Sequence, residues 1–540
     1  MMALHFTRER LVMKATFRLT SGRPQATFRR HTAAWILPAL LLLAAITAGA
    51  TSFVWINPAG GDWNDTNNWT PSSVSPPGPR DEVFITAPGT YAVTGNGSAS
   101  SLTLGDGSKS FPTLLMNQTG VSVSGSAYAA PGSFIVLTGG DGTSLFGGGS
   151  FSASGGLTLD GEIDWQAGRL GGAVTVTTNG VIRGLTALNH FFGATVYNHG
   201  RILWSADNLT SDGSWLQNMP DGTLDFQGDT EFGTFGGATS YNILINNGLM
   251  LKSAGTNILS LDGPYYVTNS GALRVESGTV AFYNNVEMGG IVDVTNGAAL
   301  WLESGVFTLS PGYGFTGEGF YGVPTGGSPI IYGTIADANF QMNGTLHGTN
   351  SVAGTMTCYA GDFEGATTVA SSGVLNLYAC QQCGSIYVTT RTGGALTNAG
   401  TINWLSGDWT SLGGLVNNLS NGLIDIQCDA SLESFGGTGP WLNAGVIRKS
   451  AGAGANDLVG MTLTNLGLVD VQVGGLSFPN GFTSGGAFNA ASGASVLLAS
   501  GTFNLNPGHS FAGEGFYGVP SGGGVTVYGE IPGTNFQMLV

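Results

Sequence analysis

At 540 residues the chain has room for several domains, yet only 9% of it is charged and glycine alone fills 90 positions, which excludes an ordinary globular enzyme composition. Hydrophobic residues at 42% and aromatics at 10% exclude a disordered chain, since they can build a core that offsets conformational entropy. A formal charge of −16 argues against a surface that gathers nucleic acid or anionic lipid.

The N-terminus carries Arg8, Arg10, Lys14, Arg18, Arg23, Arg29 and Arg30, then the apolar run from Ala33 to Ile46 and the small residues Ala48, Gly49 and Ala50. That order is the pattern of a secretory signal, so residues 1–50 are expected to be a signal peptide cut after Ala50. The other reading, an uncleaved anchor, is disfavoured because about 20 apolar residues are needed to span a bilayer and this run is shorter and holds Pro38. Removing these 50 residues leaves 10 basic and 32 acidic side chains, a formal charge of −22. Such a field keeps an apolar-rich protein soluble outside the cell, and calcium is the partner it would tolerate best.

Residues 51–107 form a Trp-rich β segment, with Trp55, Trp63 and Trp69 close together and prolines at 76, 77 and 79. The run Trp55-Ile56-Asn57, Gly61-Asp62-Trp63, Asn68-Trp69, Pro79 and Asp81-Glu82-Val83-Phe84-Ile85 resembles the opening segment of large secreted bacterial parallel β-helix proteins, including those with autotransporter-associated β-strand repeats. The resemblance covers about a tenth of the exported chain. It implies export and a parallel β-helix and carries over no catalytic residue. No outer-membrane barrel follows before Val540, so direct anchorage of the autotransporter kind is not implied. The three tryptophans have two readings: a platform on which sugar rings stack, or an aromatic cap for the first coil.

Two long modules follow, residues 108–344 and 345–540. Val306 to Pro324 reads VFTLSPGYGFTGEGFYGVP and Thr502 to Pro520 reads TFNLNPGHSFAGEGFYGVP, at an offset of 196 residues. The same offset joins Asn339-Phe340-Gln341-Met342 to Asn535-Phe536-Gln537-Met538, and Lys-Ser-Ala-Gly occurs at both Lys252 and Lys449. Inside each module a unit of the form Asn-x-Gly-x-apolar-x-apolar recurs every 20 to 27 residues, as in Asn198 to Trp204 and Asn398 to Trp404. Asn and Gly suit left-handed turn angles, and the alternation after them is that of a strand. One such strand cannot bury its own inner face, whereas stacked coils can, and the expected fold is all-β, a parallel β-helix (β-solenoid). A string of antiparallel sandwiches is the runner-up, and regular spacing above 20 residues argues against it.

In that arrangement Ile202 and Trp204, Leu224 and Phe226, Leu375 and Leu377, Ile402 and Trp404, Ile424 and Ile426, and Val469 and Val471 point inward. The outward positions hold Arg183, Leu203, Asp225, Leu251, Arg274 and Leu300, then Asn376, Asn403, Asp425, Arg448, Asp470 and Val496. Asp425, Arg448 and Asp470 should then lie on consecutive strands as a charge ladder. If Phe536 to Met538 forms a last strand, its free edge calls for a continuation or a partner.

Catalytic motifs are wanting: there is no Gly-x-Ser-x-Gly elbow, no Walker loop and no His-Glu-x-x-His. His190, His199, His347 and His509 are scattered, and a surface position is expected for each. Paired outward acids could bind calcium or do acid-base work, but Asp225, Asp425 and Asp470 each have an unlike neighbour one coil away. Cys380-x-x-Cys383 lacks the second ligand pair of a zinc site. Cys358 and Cys380 are 22 residues apart, one coil, so a disulfide between neighbouring coils is expected, with Cys383 as competitor and Cys428 left over. The function expected from all this is an exported structural or adhesive surface protein without catalytic activity. The alternative is a polysaccharide-binding or polysaccharide-degrading β-helix protein, in which Trp55, Trp63 and Trp69 contact the carbohydrate.

Overall fold

The computed structural model describes residues 49–538, apart from 109, 141–146, 187–188, 212, 235–241, 264–265, 360, 380–389, 436 and 532–534. The segment expected to be a signal peptide lies outside these residues apart from its last two, Gly49 and Ala50. Among the described residues the only helix is the turn Thr66–Asn68, and no helix is long and apolar enough to cross a membrane.

The rest is a parallel β-solenoid of about 20 coils with a strand on each of three faces. The first face begins with Ser52–Trp55, Glu82–Ile85 and Ser101–Leu104 and ends with Gly524–Tyr528. The second is a 12-stranded ladder from Gly61–Asp62 to Gly314–Thr316. The third includes Asn208–Ser211, Glu231–Thr234 and Phe320–Val323. Three long strands, Ser150–Leu159, Gly168–Val176 and His190–Asn198, turn the corner from the third face to the first and join the two into one sheet. Among the described residues all the strand pairings are parallel except Val54↔Thr70 and Trp55↔Trp69. Residues 51–107 already build coils of this solenoid, since Gly89–Thr94 pairs in register with Ser110–Asn117.

Side chains alternate in and out because successive residues of a strand face opposite sides. Every inward residue named above is at most 5% exposed, and these residues form the rungs of one continuous apolar core. Two outward assignments are corrected. Leu300 and Val496 are fully buried, because Gly297 and Gly493 mark the corner leading to the next face, not the Asn-x-Gly corner. Trp301 therefore stands outward between Leu300 and Leu302.

The Asn-x-Gly corner also works differently from a left-handed turn. Its asparagines are buried and donate to one another up the stack: Asn198 to Asn218 (2.8 Å), Asn218 to Asn246 (2.8 Å) and Asn246 to Asn269 (2.7 Å). The second module repeats this from Asn398 to Asn418 (2.8 Å), Asn443 (2.7 Å) and Asn465 (2.8 Å). Each donating amide also reaches a backbone carbonyl, as Asn218 does at Leu249 (2.9 Å), while the first ladder ends at Asn269, whose Nδ2 has no partner among the described residues. The glycine is required for space. A Cβ on Gly222 would lie 2.2 Å from the carbonyl oxygen of Asn198, and one on Gly445 2.3 Å from those of Gly422 and Leu419.

The two modules meet by a change of face. Ile330–Ile335 on the first face is followed directly by Phe340–Met342, which pairs with Phe320–Val323 on the third, so the second face ends at Gly314–Thr316. A new face opens with Thr345–Leu346, and strands such as Thr401–Trp404, equivalent to second-face strands of the first module, now continue the third ladder. In place of a next strand on the second face, Asp337 Oδ1 accepts the amide of Phe315 (3.1 Å).

Asp337 is buried beside Tyr313 and Tyr321, its Oδ2 has no partner, and desolvation pushes its carboxyl up to about 6. A carboxyl raised on folding binds its proton more tightly in the folded state. Stability is therefore expected to fall as pH rises from about 3.8 to about 6, by an amount on the order of 3 kcal/mol. Asp337→Asn keeps an oxygen for Phe315 and removes the ionisation. Thermal melts across that window should show the variant losing less stability than the parent, and parallel curves would contradict the assignment.

Candidate functional site

The outward ladder has the register expected: Asp425 pairs with Arg448, and Arg448 with Asp470. Its carboxylates are largely engaged, however, and among the described residues only Asp425 Oδ1 in this ladder is buried without a partner. Asp225, Asp425 and Asp470 are at most 9% exposed, and each accepts at 2.9 Å from a glutamine two residues on, Gln227, Gln427 and Gln472. This Asp-x-Gln recurrence is the sequence signal for the pairing. Asp225 also accepts from Ser253 (2.7 Å), and Asp470 from Asn489 (2.7 Å) and Arg448 (3.3 Å). Burial would raise the Asp470 carboxyl, but these donors outweigh it and hold it below the ordinary range. An ion pair whose arginine is partly exposed, such as Arg448 with Asp470, adds on the order of 0.2–1 kcal/mol, so the ladder records register more than strength.

The repeated Lys-Ser-Ala-Gly is a clasp. Lys252 and Lys449 are wholly buried, and each ammonium spends its three protons. Lys252 donates to the carbonyls of Gly228 (3.0 Å) and Ala254 (2.9 Å) and to Asp229 (3.1 Å). Lys449 does so to Cys428 (3.0 Å), Ala451 (3.1 Å) and Asp429 (3.0 Å). Both side chains are held fast by a full set of acceptors and serve the corner.

The tryptophan platform is withdrawn. Trp55, Trp63 and Trp69 are each 1% exposed and pack edge to face, with Trp69 at 4.9 Å from Trp55 and 5.1 Å from Trp63. Their indole N–H groups donate to the carbonyls of Asn57, Pro77 and Trp63. No ring face is open to a sugar. The surrounding motif is structural too: Asn57 donates to Gly60 (2.7 Å) and Asn68 (2.9 Å), while Asp81 accepts the amides of Thr51 (3.0 Å) and Gly78 (2.8 Å).

His190 is likewise not on the surface. It is buried against Trp165 and Trp204, with Nε2 donating toward the carbonyls of Trp165 (3.0 Å) and Leu185 (3.1 Å). Cys358 is buried and stacks in register on Leu377, one coil of 19 residues on, and its sulfur accepts the amide of Gly361 (3.2 Å). Cys380 and Cys383 lie outside the described residues. Cys428 is half-buried, which raises its thiol above the ordinary value.

One carboxylate pair escaped the sequence reading. Glu162 and Asp164 share the outward side of the strand Glu162–Trp165, Glu162 pairs with Arg183, and burial together with Glu162 pushes Asp164 up to about 6. They lie two residues apart on one strand, whereas glycosidase carboxylates flank a bound sugar from opposite sides, and Asp164 Oδ1 is buried without a partner among the described residues. Among the described residues no group of three or more His, Cys, Asp and Glu could hold a metal ion.

An open groove of about 650 Å3 does exist on the third face of the first module, where strands Ala299–Leu302 and Phe320–Val323 meet the corner at Gly297. Trp301, Glu303, Glu318, Phe320 and Asn343 line it. Both aromatic rings are only partly buried, and Glu318 is exposed. Desolvation raises the Glu303 carboxyl, and Asn343 Oδ1 is buried without a partner. At the offset of 196 residues the second module has a smaller groove of about 310 Å3, lined by Gly493, Glu514 and Phe516 in the places of Gly297, Glu318 and Phe320. Leu497 and Ala499 there replace Trp301 and Glu303. Sequence reading singled out the repeated GEGFYGVP but not its exposed side. The signal available was an outward Glu and Phe kept in both copies while neighbouring outward residues changed. No protein-family model matches this chain, and no curated protein matches it either.

Proposed function

We propose that this is an exported, non-catalytic β-solenoid of the bacterial cell surface or its surroundings, structural or adhesive in role and similar in kind to the proteins with autotransporter-associated β-strand repeats. The observation that carries the reading is the use made of the ionisable groups. The carboxylates of Asp225 and Asp470 are tied up by Gln, Arg, Ser and Asn, one oxygen of Asp425 by Gln427, and the buried lysines by carbonyls, so most of the residues that resemble catalytic groups hold coils together. The basic and apolar N-terminal pattern and the formal charge of −22 that remains after its removal support export. Calcium would serve as a counter-ion for that charge.

The purified chain should release neither new reducing ends nor unsaturated ends from pectin, alginate, xylan, cellulose or peptidoglycan, and labelling of intact producing cells should find it outside the cytoplasm. Turnover that disappears in Asp164→Asn or Asp425→Asn would overturn the non-catalytic reading.

A further inference from the structure

We infer that the groove at Trp301 is a binding site for a neutral, hydroxyl-rich glycan, and that the smaller groove at Phe516 is its weaker copy. The inference rests on the adhesive reading above and names its ligand class.

The lining is of the kind that holds sugars: two partly exposed aromatic residues, Trp301 and Phe320, two carboxylates, Glu303 and Glu318, and the amide of Asn343. An indole or phenyl face covers the apolar side of a pyranose, while carboxylate and amide oxygens accept from its hydroxyl groups. Those acceptors are unspent. Neither carboxylate has a hydrogen-bond or ion-pair partner among the described residues, and Asn343 Oδ1 is buried and unsatisfied, a state normally relieved by a ligand or an ordered water.

Charge selects the class of glycan. From Arg274 to Arg391 the sequence contains no intervening Lys or Arg and eight acids, among them Glu303 and Glu318. Uronate or sulfated polymers, phosphates and nucleic acid would be repelled, whereas an uncharged sugar meets acceptors without a charge penalty. The fold does not account for the retained residues. Gly317 and Gly319 are explained by backbone approaches of 2.1 and 2.4 Å, but Glu318 and its counterpart Glu514 are exposed and make no contact that the coil needs.

Isothermal titration of the purified chain with cellohexaose, mannohexaose, xylohexaose and N-acetylchitohexaose, beside hexagalacturonate as the anionic probe, tests the inference. At least one neutral hexasaccharide should bind and hexagalacturonate should not. Trp301→Ala should weaken that binding at least tenfold, Glu318→Gln should weaken it less, and Trp301→Phe should keep most of it, with melting curves confirming that each variant is folded. Failure of all four neutral probes, equal binding of hexagalacturonate, or unchanged affinity in Trp301→Ala would overturn the site. Appearance of new reducing ends during the titration would instead contradict the non-catalytic reading while leaving the site in place.

Discussion

Asn418→Ala is expected to destabilise the protein by on the order of 4 kcal/mol, read as a shift in urea unfolding. The Asn418 amide donates to Asn443 Oδ1 (2.7 Å) and to the carbonyl of Val446 (3.1 Å), and its oxygen accepts from Asn398 (2.8 Å). Truncation strands three buried polar groups at once, each costing about 1–3 kcal/mol when left without water or a partner. The neighbouring Asn417 faces outward on the same strand and supplies the control: Asn417→Ala should stay within about 0.5 kcal/mol of the parent. Equal effects from the two substitutions would mean that the asparagine ladder does not bear on stability.

Gly445→Ala should cost about 3 kcal/mol or more, for a steric reason separate from backbone torsion. The added methyl would sit 2.3 Å from two carbonyl oxygens of the coil below, and backbone cannot move aside as a flexible side chain can. Gly312 provides the contrast, with φ at 98° and nothing within 4 Å of its Cβ position. Gly312→Ala should cost only about 1–2 kcal/mol, the torsional penalty for a left-handed residue. Unfolding curves that rank the pair in the opposite order would refute the close-approach explanation of the corner glycines.

What could be read from the sequence was whatever depends on period. Alternation after each Asn-x-Gly identified Ile402 and Trp404 as core and Asn403 as surface, and the regular spacing put Asp425, Arg448 and Asp470 in one column. What escaped depends on which of three corners a glycine occupies. Gly297 follows Asn296 directly, whereas Gly200, Gly248, Gly271, Gly400 and Gly445 stand two residues after their asparagines; it turns toward a different face, and this reversed the assignment of Leu300. Asparagine also has two uses that a single sequence does not separate, taking up a left-handed turn or filling a buried amide ladder, and only stacking distinguishes them. The change of face at Asp337 was hidden for a similar reason, because the omitted strand leaves the apolar alternation on either side intact. The groove depends on side chains from three successive coils, so no local pattern reports it.

Both modules stack in one continuous parallel solenoid, through the change of face. Gln341 ends the first module's third-face ladder, and Thr357, from the second module, pairs with it in register. Parallel neighbours lie about 4.8 Å apart, within disulfide reach, whereas residues two strands apart are at about twice that distance and beyond it. The decisive measurement is oxidation of Gln341→Cys with Thr357→Cys, beside Gln341→Cys with Asn376→Cys two strands on, mapped by mass spectrometry of the non-reduced protein. A bond between positions 341 and 357 with none between 341 and 376 is the result expected. Absence of the first bond, or equal yields of both, would contradict a continuous stack across the junction.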